Sequence, residues 1–210
     1  MRWIKRAWIA LLVLFFVIFS HWYGGQGTPI SSAEGAELIA KLEASFGTAP
    51  TSERTFVDNM IAMIPEDDGK EFYAVNLERL KAGPEAQTAD QAYARTVIPL
   101  LFERAGHPVF VSHRAGLMLG NYGADVDRVA VVRYRSLRDL IDMAIDPAMI
   151  AGSPNKFLAL EHTEVFITRP TITFVQVRLL LALLLIVLGA IGLKLMNWIA
   201  QFRHARANSS

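Results

Sequence analysis

The sequence predicts an α+β fold, in which an antiparallel sheet domain lies between two transmembrane helices. Apolar runs at 7–23 and 179–200 have the length that a helix needs to cross a hydrocarbon core. A helix is favoured there because it satisfies its own backbone groups. Between the runs, strand-like and helical patterns alternate in the order β-α-β-β-α-β, which is the ferredoxin-like signature. An extra helical arm precedes the first strand.

Basic residues beside the apolar runs predict the orientation in the membrane. They lie before the first run and late in or beyond the second: Arg2, Lys5, Arg6, Lys194, Arg203 and Arg206. Lys and Arg are enriched on the cytoplasmic side. We therefore expect a two-pass protein of a bacterial inner membrane, with both termini cytoplasmic and the central domain periplasmic. Arg169 and Arg178, on the outer side of the second run, are outnumbered by the inner group.

The first apolar run has a second interpretation as a cleaved signal peptide, because a basic start and a short apolar region fit one. No small-x-small cleavage site follows Phe19, and Trp22 and Tyr23 are typical of the lipid–water interface. These residues favour an uncleaved anchor. In the second run, Gly189 and Gly192 are not spaced as a GxxxG motif, so they give little indication that the two helices pair.

Composition limits the domain organisation and the class of partner. The chain has 210 residues, a formal net charge of +1 and no cysteine. The near-neutral charge argues against nucleic acid binding. The absence of cysteine excludes disulfides and thiolate metal sites. Roughly 150 residues between the anchors are enough for one compact domain. The predicted divisions are an anchor at 1–23, a linker and helical arm at 24–69, the sheet domain at 70–170, an anchor at 171–200 and a cytoplasmic tail at 201–210.

Local patterns predict each element in turn. In the arm, Ser31 and Glu34 have capping-box spacing and begin a helix that runs to about Phe46, and a second helix follows at about 53–64. In the sheet domain, helices are predicted at 88–106, with Pro99 expected to kink it, and from Ser136 to about Ile145. The segment at 146–162 is read as turns. The strands are predicted at 72–77, 107–119, 128–134 and 163–168.

The first predicted strand is apolar on both faces. Tyr73, Val75 and Leu77 point one way, while Phe72 and Ala74 point the other. A sheet of this kind needs cover on both faces, and the two helices supply only one. We expect a second copy of the sheet on the other face, in an isologous homodimer that curls towards a barrel. The alternative is that the arm at 53–64 covers that face within one chain.

The stretch from about Phe56 to Arg169 resembles the uncharacterised family called domain of unknown function 1330, in the dimeric α+β barrel superfamily. The resemblance lies in four places: the Pro-Glu-Asp-Asp-Gly turn at 65–69 with its following strand, the Tyr93 helix ending in Arg-Ala-Gly at 104–106, the strand at 129–136, and the segment at 143–159, which is similar to the family's closing helix. Arg135 stands where the family usually has a proline. Related barrels range from haem-degrading oxygenases to cyclases and binding modules, so the resemblance implies the fold and no single activity.

Four residues are candidates for ligand binding: Asn76, His113, Arg133 and Tyr134. Asn76 falls on an otherwise apolar strand face, where a side-chain amide either finds a partner or binds something. Arg133 and Tyr134 offer hydrogen bonds to an anionic substrate, or else bury an apolar stem at the sheet edge. His107, His113 and His162 are candidates for a haem ligand or a general base. They do not all lie on one element and have no metal-ligand spacing, which favours the interpretation as ordinary strand-end residues.

No nucleophile triad, phosphate loop, dinucleotide fingerprint or zinc motif is present in the sequence. The residues therefore indicate no cofactor and no metal. The favoured function is non-catalytic, namely binding of a small apolar or amphipathic ligand or of a partner protein close to the bilayer. Two alternatives stay open. One is an enzyme of the α+β barrel kind, including a haem-linked oxygenase, and the other is an accessory subunit of a membrane complex.

Overall fold

The computed structural model describes residues 2–25, 27–47, 51–174 and 176–207. The chain forms two compact units, one of Met1–Tyr23 with Ile172–Ser210 and one of Gly24–Thr171. The helices are α1 (Arg2–Gly24), α2 (Ser32–Phe46), α3 (Thr51–Met63), α4 (Pro84–Glu103), α5 (Leu137–Ala144), α6 (Pro147–Gly152), α7 (Pro154–Ala159) and α8 (Val177–Ala207). The strands are β1 (Phe72–Leu80), β2 (His107–His113), β3 (Arg128–Tyr134) and β4 (Leu160–Thr168).

The unit of terminal helices consists of α1 packed on α8. Both helices are long and apolar enough to cross a membrane. Gly189 and Gly192 lie on the face of α8 that meets α1, and a side chain at Gly192 would collide with the Trp8 ring. Lys5 Nζ also donates to Asn197 Oδ1. The two glycines therefore permit a close helix contact although they form no GxxxG motif.

The Gly24–Thr171 unit is built on a four-stranded antiparallel sheet in the order β2-β3-β1-β4. β1 and β3 pair in register from Phe72 opposite Tyr134 to Glu78 opposite Arg128. The prediction of an α+β fold is confirmed, and β3 has the predicted bounds. Side chains alternate along β1, so that Ala74 and Asn76 share one face with Phe72 and Glu78. The helices pack on this face.

β1 and β4 are each three residues longer than predicted, and larger differences occur in three other places for local reasons. β2 ends at His113, well before residue 119, because its register partner Arg128 is the first residue of β3. α4 begins at Pro84, directly after Gly83 with a φ of 103°. The segment at 146–159, predicted as turns from its residues and as a closing helix from the family resemblance, forms two short helices, α6 and α7, each with a proline in its first turn. Proline has no backbone N–H to satisfy and a φ suited to a helix start.

The arm of α2 and α3 packs on the helical side of the sheet. Leu42 and Val57 from the arm are fully buried, and they share one core cluster with Phe72 of β1 and Ile141 of α5. Ser31 caps α2 as predicted, its Oγ accepting from Glu34 N. The alternative in which the arm covers the second sheet face is therefore wrong, because the arm lies on the face that the other helices cover.

The second sheet face carries apolar side chains from all four strands: Val75, Leu77, Phe110, Val129, Val131 and Phe166. Phe110 and Phe166 keep 50% and 45% of their surface exposed. Within the described part of the Gly24–Thr171 unit, the buried side chains of the helices pack against the opposite sheet face. Val131 is buried, so this face is open in the single chain only in part, chiefly at the edge strands that carry Phe110 and Phe166.

Arg138 of α5 fastens the segment that leads into the arm. Its guanidinium donates to the carbonyls of Thr28 and Pro29 at 2.7 and 2.9 Å and pairs with Glu34. The hydrogen bond from Arg138 lowers the pKa of the Glu34 carboxyl. Ile30 N also donates to an Asp67 carboxylate oxygen at 2.9 Å. The segment predicted as a linker is thus bonded to the sheet domain over part of its length.

Replacing Leu42 by Ala tests whether the arm belongs to the core. Leu42 is fully buried in α2, so removing its side chain is expected to cost about 2–5 kcal/mol through lost burial and a residual cavity. Amide hydrogen exchange of the full chain in detergent should show faster opening of α2 and β1. The control is Glu37→Ala on the exposed side of α2. Equal protection in both variants would contradict an integral arm.

Candidate functional site

A cavity of about 710 Å³ lies between the sheet and the helices of the Gly24–Thr171 unit. Small side chains on both sides leave the space open, namely Ala74 and Ala130 on the sheet and Ala94 on α4. Most of the wall is aliphatic, aromatic or thioether, as at Phe56, Met63, Ile98, Val132 and Met149. The cavity is therefore an apolar space that can accept an apolar molecule.

One end of the cavity is polar and is organised by Arg128, the first residue of β3. Its Nε donates to Glu78 Oε2 at 2.5 Å, and its two terminal nitrogens donate to the two oxygens of Asp90 at 2.8 Å each. Glu78 is on the neighbouring strand and Asp90 on α4, so Arg128 joins helix to sheet. These hydrogen bonds lower the pKa of Asp90 and raise that of Arg128. Both carboxylates are satisfied by this single cation.

Lys156 of α7 is the other cation at the polar end. Its Nζ donates to Asn76 Oδ1 at 3.3 Å and lies 5.8 Å from the centre of the Tyr93 ring. Among the described residues, no ion pair includes Lys156. Burial lowers the pKa of its amine, against the opposing influence of Glu78. Lys156 therefore presents an amine to the cavity that is bonded to an amide and not to a carboxylate.

The position of Lys156 follows from the tight packing of α6 and α7 on α4. A Cβ on Gly152, at the end of α6, would lie 2.7 Å from the Thr96 side chain. Only glycine permits this approach without displacing Thr96. The chain then turns at Pro154 into α7 and carries Lys156 to the polar end of the cavity. Burial raises the pKa of both Tyr93 and Tyr134, so these two phenols stay protonated at neutral pH.

The structure places two of the predicted site residues on the cavity wall. Asn76 donates through Nδ2 to the Ala130 carbonyl at 3.2 Å while its Oδ1 accepts from Lys156. Its amide therefore has partners on both sides. Tyr134 also lines the cavity, and its ring stacks on Phe72 with centroids 5.4 Å apart.

The other two predicted residues lie elsewhere. Arg133 is 1% exposed and follows the opposite strand face, where it pairs with Glu71 and donates to the Ala105 carbonyl at 2.7 Å. His113 is exposed at the end of β2, and His162 is exposed on β4. No histidine of the described residues lines the cavity. The cavity wall thus has no histidine among the described residues that could act as the predicted haem ligand. The four candidate residues do not meet at one site, because only Asn76 and Tyr134 line the cavity.

Sequence reasoning missed Glu78, Asp90, Arg128 and Lys156. A signal existed for Glu78, which follows Asn76 by two residues and therefore shares its strand face. Arg128 likewise opens a strand that was predicted correctly. No comparable pattern indicates Lys156, because Gly152 and two prolines interrupt the helical periodicity of the segment in which it lies.

Comparisons with known proteins bear on the fold. No family model and no curated protein matches the chain. A solved protein of unknown function from Rhodopseudomonas palustris is 22% identical, over 59% of this chain and 96% of that chain, with a TM-score of 0.50. An uncharacterised NIPSNAP domain protein from Burkholderia xenovorans is 16% identical, over 50% and 98%, with a TM-score of 0.37. A cofactor-independent oxygenase from Streptomyces nogalater is 13% identical, over 51% and 99%, with a TM-score of 0.36.

At these identities the likeness concerns the fold alone. The Rhodopseudomonas palustris protein supports the α+β architecture of the sheet domain, and its likeness assigns no activity. The resemblance to domain of unknown function 1330 stays a prediction.

Replacing Lys156 by Met tests whether its ammonium is buried at an energetic cost. Because its pKa is lowered in the folded chain, the unfolded chain binds that proton more tightly, and wild-type stability falls as pH drops from about 10 towards the lowered pKa. We expect Lys156→Met to be more stable than wild type by about 1–3 kcal/mol near neutral pH. The difference should shrink towards pH of about 10.

The measurement is the free energy of unfolding of the full chain in detergent, by pulse proteolysis across that pH range. The control is Lys81→Met, since Lys81 is exposed and its amine donates to the Phe157 carbonyl. A Lys156→Met variant that is less stable than wild type at every pH would contradict this account.

Proposed function

We propose that this protein is a membrane-anchored binding protein that takes a small amphipathic molecule into the cavity of its sheet domain. The observation that carries the proposal is the cavity of about 710 Å³ with apolar walls and one polar end. Small-molecule sites have volumes of about 300–1,000 Å³ and a few placed polar groups in a mostly apolar lining. The apolar walls supply binding free energy, at about 25 cal/mol for each Å² of apolar surface buried.

The charges at the polar end favour a neutral polar head group on the ligand. The carboxylates of Glu78 and Asp90 share the single guanidinium of Arg128. One negative charge is thus left for Lys156 to balance. With Lys156 balancing that charge, the polar end has no positive charge left over to attract an anionic head group, whereas a carbonyl or hydroxyl oxygen can accept from the Lys156 amine.

The proposed setting is a bacterial inner membrane, with the bilayer as a partner, both termini in the cytoplasm and the sheet domain outside. The length and apolar character of α1 and α8 support two spans. The basic residues beside both apolar runs support this orientation. The proposed domains are the two anchors, the bonded linker with its arm, the sheet domain and the tail.

A homodimer through the open sheet face is part of the proposal. Phe110 and Phe166 on the edge strands are half exposed on that face, and Val75, Leu77 and Val129 between them are partly exposed. The strand order β2-β3-β1-β4 supports the ferredoxin-like arrangement, in which two such sheets can face each other. A second copy of the same apolar face is a suitable cover because an isologous contact is self-complementary.

Filling the cavity is expected to abolish ligand binding. Ala94→Phe places a ring in the cavity from α4, while Gln91→Phe places the same ring on the exposed side of the helix. The full chain in detergent is irradiated with dodecanol that carries a terminal diazirine, and labelled peptides are identified by mass spectrometry. Wild type and Gln91→Phe should be labelled on α3, α4 and β3, saturably against plain dodecanol, and Ala94→Phe should not. Unsaturable labelling confined to α1 and α8 would refute the proposal.

Placing a charge on the open face is expected to separate the dimer. Phe110→Glu puts a carboxylate in the proposed contact, where burying it unpaired is strongly unfavourable. Phe102→Glu, at a residue of α4 with 54% exposure, is the matched control. Light scattering with the detergent mass subtracted should find two copies for wild type and for Phe102→Glu, and one copy for Phe110→Glu. One copy in wild type would contradict the dimer.

A further inference from the structure

Among the residues that the structure describes, the amine of Lys156 pairs with no carboxylate, although two carboxylates lie at the same end of the cavity. Arg128 uses three of its nitrogens to bond Glu78 and Asp90. The bond that Lys156 makes is to Asn76 Oδ1 at 3.3 Å, which is a neutral acceptor. An amine held in this way is not committed to an ion pair, and its lone pair becomes usable once it loses a proton.

We propose that Lys156 condenses with an aldehyde or ketone group of the bound ligand and forms a reversible imine inside the cavity. This inference rests on the proposed ligand cavity, and it specifies the neutral head group as a carbonyl. The ligand class is a long-chain aldehyde or ketone, whose chain follows the apolar wall while its carbonyl meets Lys156.

The step balances without any further reagent. The lone pair of the neutral Lys156 nitrogen attacks the carbonyl carbon, and the C=O π electrons move to oxygen, which takes up the proton that nitrogen releases. The resulting carbinolamine gains one proton from solvent and expels its hydroxyl group as water. The product is a protonated imine with a C=N bond at Lys156. Hydrolysis runs the same steps backwards and releases the carbonyl compound.

The residues around the Lys156 nitrogen can stabilise each form that it takes during the reaction. The protonated imine is a cation, as the ammonium is, so it balances the same excess carboxylate of Glu78 and Asp90. Its N–H can keep the bond to Asn76 Oδ1, and the face of the Tyr93 ring lies 5.8 Å from the nitrogen, within reach of a cation–π attraction. Burial lowers the pKa of the amine, which increases the fraction present as the neutral nucleophile.

The test is reductive trapping on the full chain in detergent. Wild type is incubated near neutral pH with decanal and sodium cyanoborohydride, which converts an imine to a stable secondary amine, and peptide mass spectrometry locates the decyl group. The chain carries other lysines, including Lys41, Lys70 and Lys81, which serve as internal references. Burial lowers the pKa of Lys156 and the apolar wall gathers decanal beside its amine, so Lys156 should be labelled at least several-fold faster than these residues.

Two variants and a shorter aldehyde test whether the label depends on Lys156 and on the apolar wall. Lys156→Arg keeps the charge but forms no imine, so it should lose the selective label, whereas Lys81→Arg should keep it. Propanal should label Lys156 more slowly than decanal, while the exposed lysines should react with the two aldehydes alike. Labelling of Lys156 no faster than Lys81 would overturn the inference.

The dodecanol cross-link separates this inference from the proposed function. Saturable cross-linking in the cavity without selective trapping at Lys156 would leave the binding function standing and show that Lys156 only donates hydrogen bonds to the head group. Absence of both would refute the two together. Lys156→Arg should still cross-link dodecanol, because the apolar wall is unchanged.

Discussion

The bridge from Arg128 to Glu78 and Asp90 is the interaction on which the cavity depends. Glu78 is nearly buried on β1 and Asp90 belongs to α4, so the guanidinium sets how close the helix comes to the sheet. Removing one member of a buried charge pair typically costs about 3–5 kcal/mol. Because Arg128 also satisfies both carboxylates, the amine of Lys156 is left facing the cavity with an amide as its partner.

The opposite end of the cavity depends on the arm. Phe56, Met60 and Met63 of α3 line the cavity, and Met60 is also a member of the buried core cluster. The cavity therefore has this wall only when the arm is folded. A molecule that binds only the folded chain stabilises it in proportion to the logarithm of its concentration over its dissociation constant.

Much of the fold could be predicted because its signals are local. The short apolar runs of β1 and β3 and the caps at Ser31 and Ser136 can be recognised within a few residues. The site could be predicted only in part. Arg133 and Tyr134 are adjacent on a strand and so point to opposite faces, which leaves one of them at the cavity. The contact of Lys156 with Asn76 joins residues 80 positions apart, and no local pattern encodes it.

The alanines of the cavity wall and the charged residues of its polar end belong to separate parts of the structure. Ala74 and Ala130 set how much room a chain of methylenes finds along the sheet, and each buried methylene is worth about 0.8 kcal/mol. Lys156 and Asn76 contact only the head group in the proposed complex. Selectivity for chain length and selectivity for chemistry can therefore change independently, so that sequences of this fold can diverge in the size of molecule they accept while keeping one way of recognising it.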